Sequence, residues 1–191
     1  MPNPLSNAGE FLISTLFDLA IFVLLMRILL IVLHADYYNP ISQVIIKLTK
    51  PVIEPLRRLL PNFRRIELAS VLVILALEMI KFLLLGLLVV GFPNPVGLTL
   101  LAVADALRSL INIFFYAIII QAIMSWVNTG YSPIAQILSK MTTPITKPFQ
   151  RIIPPLGGMD ISPIPAMISL QLLLILLISP LFAMGWRLAF G

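Results

Sequence analysis

The sequence predicts an all-α integral membrane protein with four transmembrane helices in two tandem repeats. Each repeat carries a proline-bent amphipathic pair of interfacial helices between its two spans. Three observations carry this. The chain is 191 residues long, 60% hydrophobic and only 11% charged, where a soluble domain is about 45–50% apolar and about 25% charged. Its apolar runs reach the roughly 20 residues that cross a bilayer. And a block of sequence is written twice. Pro40, Pro51, Pro55 and Pro61 recur at a constant offset as Pro133, Pro144, Pro148 and Pro154, where 133 − 40 = 93. The same offset relates Gln43 to Gln136, Lys47 to Lys140, Arg58 to Arg151 and Glu67 to Asp160. Such self-similarity marks an internal duplication, with repeats at 1–97 and 98–191.

The first repeat opens with a weakly amphipathic lead-in over 4–13, read as lying at the membrane surface, then a span over about 14–34 containing Asp18 and Arg27. The start of the chain lacks Lys and Arg and no small-residue cleavage site follows the run, so this span reads as permanent rather than as a cleaved signal. The amphipathic block over 39–61 follows. Asn39 is a good N-cap, and Pro40 in the first turn forfeits no needed hydrogen bond. Ile41, Val44, Ile45 and Leu48 fall at helical spacing on one face, with Ser42, Gln43, Lys47 and Lys50 on the other. Pro51 is expected to end that helix, because the residue before a proline is pushed out of helical geometry. A second short helix would then run to about residue 60. The second span covers about 66–90, with Glu78 and Lys81 inside it.

A Gly- and Pro-rich turn over 91–97 joins the repeats. A short apolar helix is expected over 98–106, cut off by Asp105 and Arg108, before a third span over about 109–127. The second amphipathic block occupies 132–154. Ser162 and Pro163 then read as the N-cap and first residue of the last span, about 164–188, bent at Pro180.

Orientation follows from the basic residues. The first inter-span loop holds Lys47, Lys50, Arg57, Arg58, Arg64 and Arg65, the third holds Lys140, Lys147 and Arg151, and the 91–97 turn holds none. The positive-inside rule places both blocks in the cytoplasm and both termini outside. The net charge of +5 gathers in these loops, which points to anionic lipid headgroups as a partner rather than nucleic acid. A homo-oligomer or a membrane or cytoplasmic protein docked on the blocks is a further partner class.

Catalysis finds little support. There are no cysteines, which rules out thiolate chemistry, and His34 is the single histidine, which nearly excludes His-based metal sites and Ser-His-Asp triads. No metal or cofactor is expected. The informative residues are polar groups at bilayer depth, which face partners or a cavity. Counting inward at 1.5 Å per residue, Arg27 lies about 12 Å deep and Glu78 about 16 Å. Pairing across the first two spans is therefore expected, with Lys81 completing the network from i+3. Glu78 maps onto Gln171 in the second repeat, and Gln121 lies one residue from the position of Arg27, so an amide pair is expected there. This network is read either as a polar path for an ion or as a clasp holding four spans together. The clasp is preferred, because four spans leave little room for a wide pore.

The doubled pattern NPISQxxxKLTKPxxEPLRRLLP and SPIAQxxxKMTTPxTKPFQRIIPPLGGMDISP resembles the YggT (YlmG) family of bacterial and plastid membrane proteins across nearly the whole chain. The second copy keeps the family's ending at Gly157, Gly158, Asp160, Ser162 and Pro163. The first copy departs from it, with Arg64 and Arg65 for the glycines and Ala69 and Ser70 for Ser-Pro. The resemblance implies a multi-pass protein of the bacterial inner membrane connected with osmotic stress tolerance and ion balance. It implies relatives tied to cell division, and in plastids to cytochrome cofactor attachment and nucleoid distribution. No enzymatic activity is established for that family, so the resemblance carries over no catalytic residues. The expectation is a non-enzymatic protein acting in osmotic or envelope stress through ion homeostasis or transport. The alternative is a scaffold or assembly factor recruiting a partner through its cytoplasmic blocks.

Overall fold

A computed structural model describes residues 4–34, 38–58, 60, 67–127, 132–153 and 160–191. These residues fold into helices α1 (Pro4–Val32), α2 (Pro40–Arg57), α3 (Leu68–Val89), α4 (Pro95–Val127), α5 (Pro133–Gln150) and α6 (Pro163–Leu173). A π-helical turn, Leu174–Ile178, carries α6 into α7 (Ser179–Phe190). Four stretches are long and apolar enough to cross a membrane: α1, α3, α4 and the continuous run from α6 through α7. Large apolar side chains such as Leu16, Leu72, Ile123 and Leu176 stand exposed around them. That is the outside of a protein whose solvent is lipid. The chain is a multi-pass membrane protein.

Several sequence-based expectations are corrected here. Residues 4–13 are no separate surface helix but the first turns of α1. Asp105 and Arg108 do not end a short helix, for α4 runs unbroken through both over 33 residues. The reason is tertiary: Asp105 is turned inward onto a lysine of α3, so its charge is matched inside the bundle. The amphipathic blocks are also not bent helix pairs. Each is one 18-residue helix with two prolines inside it, Pro51 and Pro55 in α2 and Pro144 and Pro148 in α5. The prolines of each helix are four residues apart and exposed. The backbone donors they remove, to the carbonyls of Lys47 and Pro51 in α2, are therefore lost along one outward edge, where water or headgroups replace them. Pro61 and Pro154, with Arg64, Arg65, Gly157 and Gly158, lie outside the described residues.

In the last span the disturbance expected at Pro180 is the preceding π turn, which absorbs the missing N–H by widening the helix. Ser162 stands at the N-cap position with Pro163 next, but its hydroxyl makes no cap bond. Asp160 Oδ1 accepts from the Ser162 N–H instead, at 2.9 Å.

Packing follows the chain: α1 lies on α3, α3 on α4, and α4 on α7. The α4–α7 contact is backbone-close. A Cβ placed on Gly97 would collide with the Ala189 backbone nitrogen, and one on Gly185 would stand 3.0 Å from the Leu101 nitrogen. Small residues letting helices approach this closely are a membrane packing device. The 91–94 turn is tied to the chain's end by Asn94 N–H donating to Ala189 O, and Gly9 of α1 lies beside Leu88. The start of α1, this turn and the end of α7 thus share one end of the bundle.

Helices α2 and α5 cover the other end. Asn39 caps α2 as expected, its Oδ1 accepting from Ile41 N–H at 3.0 Å, while its Nδ2 donates to Pro133 O at the start of α5. Lys140 of α5 donates to His34 O, where the chain leaves α1 in left-handed geometry (φ 50°). The helical faces differ in one respect from expectation. Ser42 and Thr49 join Ile53 on the buried face of α2, while Val44, Leu48 and Val52 are exposed beside Gln43, Lys47 and Lys50. Thr49 is inside because Arg27 of α1 comes to meet that face, whereas the buried Ser42 hydroxyl finds no hydrogen-bond partner among the described residues.

Candidate functional site

The polar groups gather in two clusters. The first lies at the level of Asp18, the middle residue of α1. Lys81 of α3 donates to Asp18 Oδ1 at 2.8 Å and to Asp105 Oδ2 of α4 at 2.6 Å, and its Nζ lies 2.6 Å from Glu78 Oε2. One ammonium thus serves three carboxylates from three helices. Among the described residues, no group other than Lys81 reaches the buried Glu78 oxygens. Glu78 is fully buried, whereas the side chain of Asp18 is 55% exposed. Arg108 approaches Asp105 only at 4.0 Å. Asn112 lines three adjoining grooves beside the cluster, of about 410, 360 and 360 Å³. One is walled by Asp18, Lys81, Asp105 and Arg108, and another by Arg108, Gln171 and Ser179.

The second cluster sits where α2 crosses the end of α1. Arg27 Nε and Nη2 donate to Glu67 Oε2 and Oε1 at 2.7 and 3.0 Å, a two-pronged pair of the strong kind. Its Nη1 donates to Thr49 Oγ1 at 2.8 Å, and Ser70 Oγ donates to Glu67 Oε2 at 2.5 Å. Glu67 is the residue before α3 begins. Burial opposes its ionisation, but hydrogen bonds from Arg27 and Ser70 and the charges of Arg27 and Arg57 hold the carboxyl below its ordinary value.

The expected pairing of Arg27 with Glu78 is therefore corrected. A long guanidinium stem reaches toward the membrane edge rather than straight across, which brings Arg27 to Glu67 and leaves Glu78 to Lys81. The expected amide pair is also not formed. Gln121 lines a small cavity with Asp160, while Gln171 lines the groove beside Arg108. Asp18, Asp105, Glu67 and Thr49 are the site residues that sequence reasoning passed over. The signal was available for Asp18 and Asp105, since Lys81 carries three donors and Glu78 alone leaves two unused.

Of the repeated-block residues, Pro40 and Pro133 open α2 and α5, and Arg58 and Arg151 stand at their C-caps. Gln43, Lys47 and Lys140 are exposed and Gln136 is half-buried. Burial opposes ionisation of Asp160, yet hydrogen bonds from Ser162 and Gln150 hold it below its ordinary value.

Against known proteins, the CCB3/YggT family model matches the chain twice, over residues 6–88 and 100–181. A Vibrio alginolyticus relative, described as an uncharacterized protein in the proC 3′ region, is 42% identical over 86% of this chain and 90% of its own. The uncharacterized protein YggT of Escherichia coli K12 is 40% identical over 82% of each chain. YlmG homolog protein 2, chloroplastic, of Arabidopsis thaliana is 34% identical over 37% of this chain and 28% of its own. No solved structure matches.

Proposed function

Since the chain belongs to the CCB3/YggT family, we propose that it is a non-enzymatic protein of the bacterial inner membrane that supports osmotic and envelope stress tolerance through ion homeostasis. The observation that carries this reading is the Lys81 cluster. Three carboxylates against Lys81, with Arg108 4.0 Å from Asp105, leave one negative charge in excess, which is costly in a bilayer and typical of cation or proton pathways. Glu78 is the residue for the exchange: it is fully buried and, among the described residues, is met by Lys81 alone, an ammonium it shares with two other carboxylates. Asp18, half exposed to the grooves, connects it to the outside through Lys81. The cargo class is protons or small monovalent cations.

Flux in liposomes reconstituted with purified protein tests this. Wild type is expected to dissipate an imposed proton or potassium gradient, and Glu78→Gln to fall to the level of empty liposomes. Equal flux in both proteins would sink the role of Glu78. A scaffold role is favoured instead by the exposed faces of α2 and α5, where Lys47, Arg57, Arg58, Lys140 and Arg151 flank apolar side chains. A stoichiometric co-purifying partner without flux would decide for it.

The duplication supports a two-repeat architecture. Helices α2 and α5 begin and end 93 residues apart, Pro40 against Pro133 and Arg57 against Gln150. In this reading both lie in the cytoplasmic interface, their basic residues on anionic headgroups at about 1 kcal/mol each. The 91–94 turn and both termini are then external. Single cysteines at Gln43, Asn94 and Gln136, probed with an impermeant thiol reagent on intact spheroplasts, are expected to label only at Asn94. Labelling at Gln43 or Gln136 instead would reverse the orientation.

A further inference from the structure

We propose that the second half of the chain carries a binding site for a small organic monocation of the guanidinium or alkylammonium class, in the cavity between α4, α5 and the start of α6. The chain supplies the template itself. In the first half the guanidinium of Arg27 meets Ile46 O, Thr49 and Glu67, with Ser70 bracing Glu67. Adding 93 to these four partners gives Ser139, Thr142, Asp160 and Pro163, and all four line one cavity of about 120 Å³. The carbonyl, the threonine and the carboxylate recur at Ser139, Thr142 and Asp160, whereas Pro163 replaces the bracing serine and the arginine does not recur. Arg27 maps onto Ile120, whose side chain is exposed.

The cavity is polar where it matters. Gln121 Oε1 is buried there without a hydrogen-bond partner among the described residues, and Thr142 and Thr146 are buried along the α5 wall. Asp160 accepts from Gln150 Nε2 at 2.8 Å and from the Ser162 N–H, both neutral donors. No Lys or Arg among the described residues pairs with it, and it stays ionised at neutral pH because those hydrogen bonds outweigh its burial. One carboxylate matches one positive charge. The surrounding oxygens suit N–H donors, as their counterparts do for Arg27. The volume is several times the roughly 10–15 Å³ that a single water needs, so a planar group of a few heavy atoms fits. This site is separate from the Lys81 cluster and does not depend on its role.

The test uses full-length protein in nanodiscs, titrated with low-millimolar guanidinium or methylguanidinium chloride against sodium and potassium chloride at constant ionic strength. Thermal midpoint and calorimetric heat are both read. A saturable rise in midpoint is expected with the guanidinium salts alone, since a ligand bound to the folded state raises its stability. Gln121→Arg, which places a guanidinium in the cavity, is expected to melt higher than wild type and to lose the response. Asp160→Asn is expected to weaken binding by about tenfold or more, an unpaired charge-assisted contact being worth at least about 1.4 kcal/mol. The absence of a saturable effect would overturn the proposal, as would an undiminished response in Gln121→Arg. An equal response to potassium would overturn it too, by assigning the cavity to a metal cation. If Asp160→Asn fails to fold, Gln121→Arg decides alone.

Discussion

Replacing Lys81 by methionine is expected to remove most of the folded protein, because it strands Glu78 and Asp105 inside the bundle and frees the half-exposed Asp18. Breaking a buried charge pair by deleting one partner costs about 3–5 kcal/mol, and here Lys81 serves Asp18, Glu78 and Asp105 together. Methionine keeps the length of the stem, so lost packing does not explain the effect. Lys81→Arg keeps the charge, but its planar fork cannot point at three carboxylates as a compact ammonium does. It is expected to recover part of the stability. The measurement is the detergent melting midpoint with the monodisperse yield after size exclusion. A Lys81→Met protein that melts with wild type would show that Glu78 and Asp105 are accommodated without it, and the central cluster would lose its structural meaning.

The sequence made some layers of this molecule legible and hid others. The spans were readable because lipid demands length and apolarity of each helix separately, and neither depends on partners. The 93-residue offset was readable because identical spacing survives without knowledge of the fold, and the bounds of α2 and α5 obey it. What failed was decided by tertiary contacts. Asp105 reads as a break in an apolar run until Lys81 is placed opposite it. Pro51 and Pro144 read as helix ends, because propensity ignores that the freed carbonyls face outward. The pairing of Arg27 was misjudged because depth was counted along the backbone, whereas a guanidinium acts at the end of a flexible stem. Glu67 was already in view as the counterpart of Asp160. Its role becomes clear only when α2 lays Thr49 against α1, so that Arg27 has two partners converging on it.

That correction yields the other large effect. Arg27→Gln and Glu67→Gln are each expected to destabilise the protein by about 3 kcal/mol, since each leaves a buried charge without its partner. Arg27 is 6% exposed and Glu67 3%, so solvent screens the pair little. In the double mutant, two neutral amides can bond one another, and a coupling of about 1–3 kcal/mol should be recovered. Arg27→Gln combined with Glu78→Gln should show only additive losses, because Glu78 belongs to Lys81. Acid offers an independent readout. The folded Glu67 carboxyl titrates below its ordinary value of 4.5, so it binds fewer protons folded than unfolded. Its contribution is present above that ordinary value and is lost as pH falls through the folded one. Wild type should thus lose more stability than Glu67→Gln on acidification through this window. Strong coupling of Arg27 to Glu78, or none to Glu67, would mean that the clasp at the end of α1 is drawn with the wrong carboxylate.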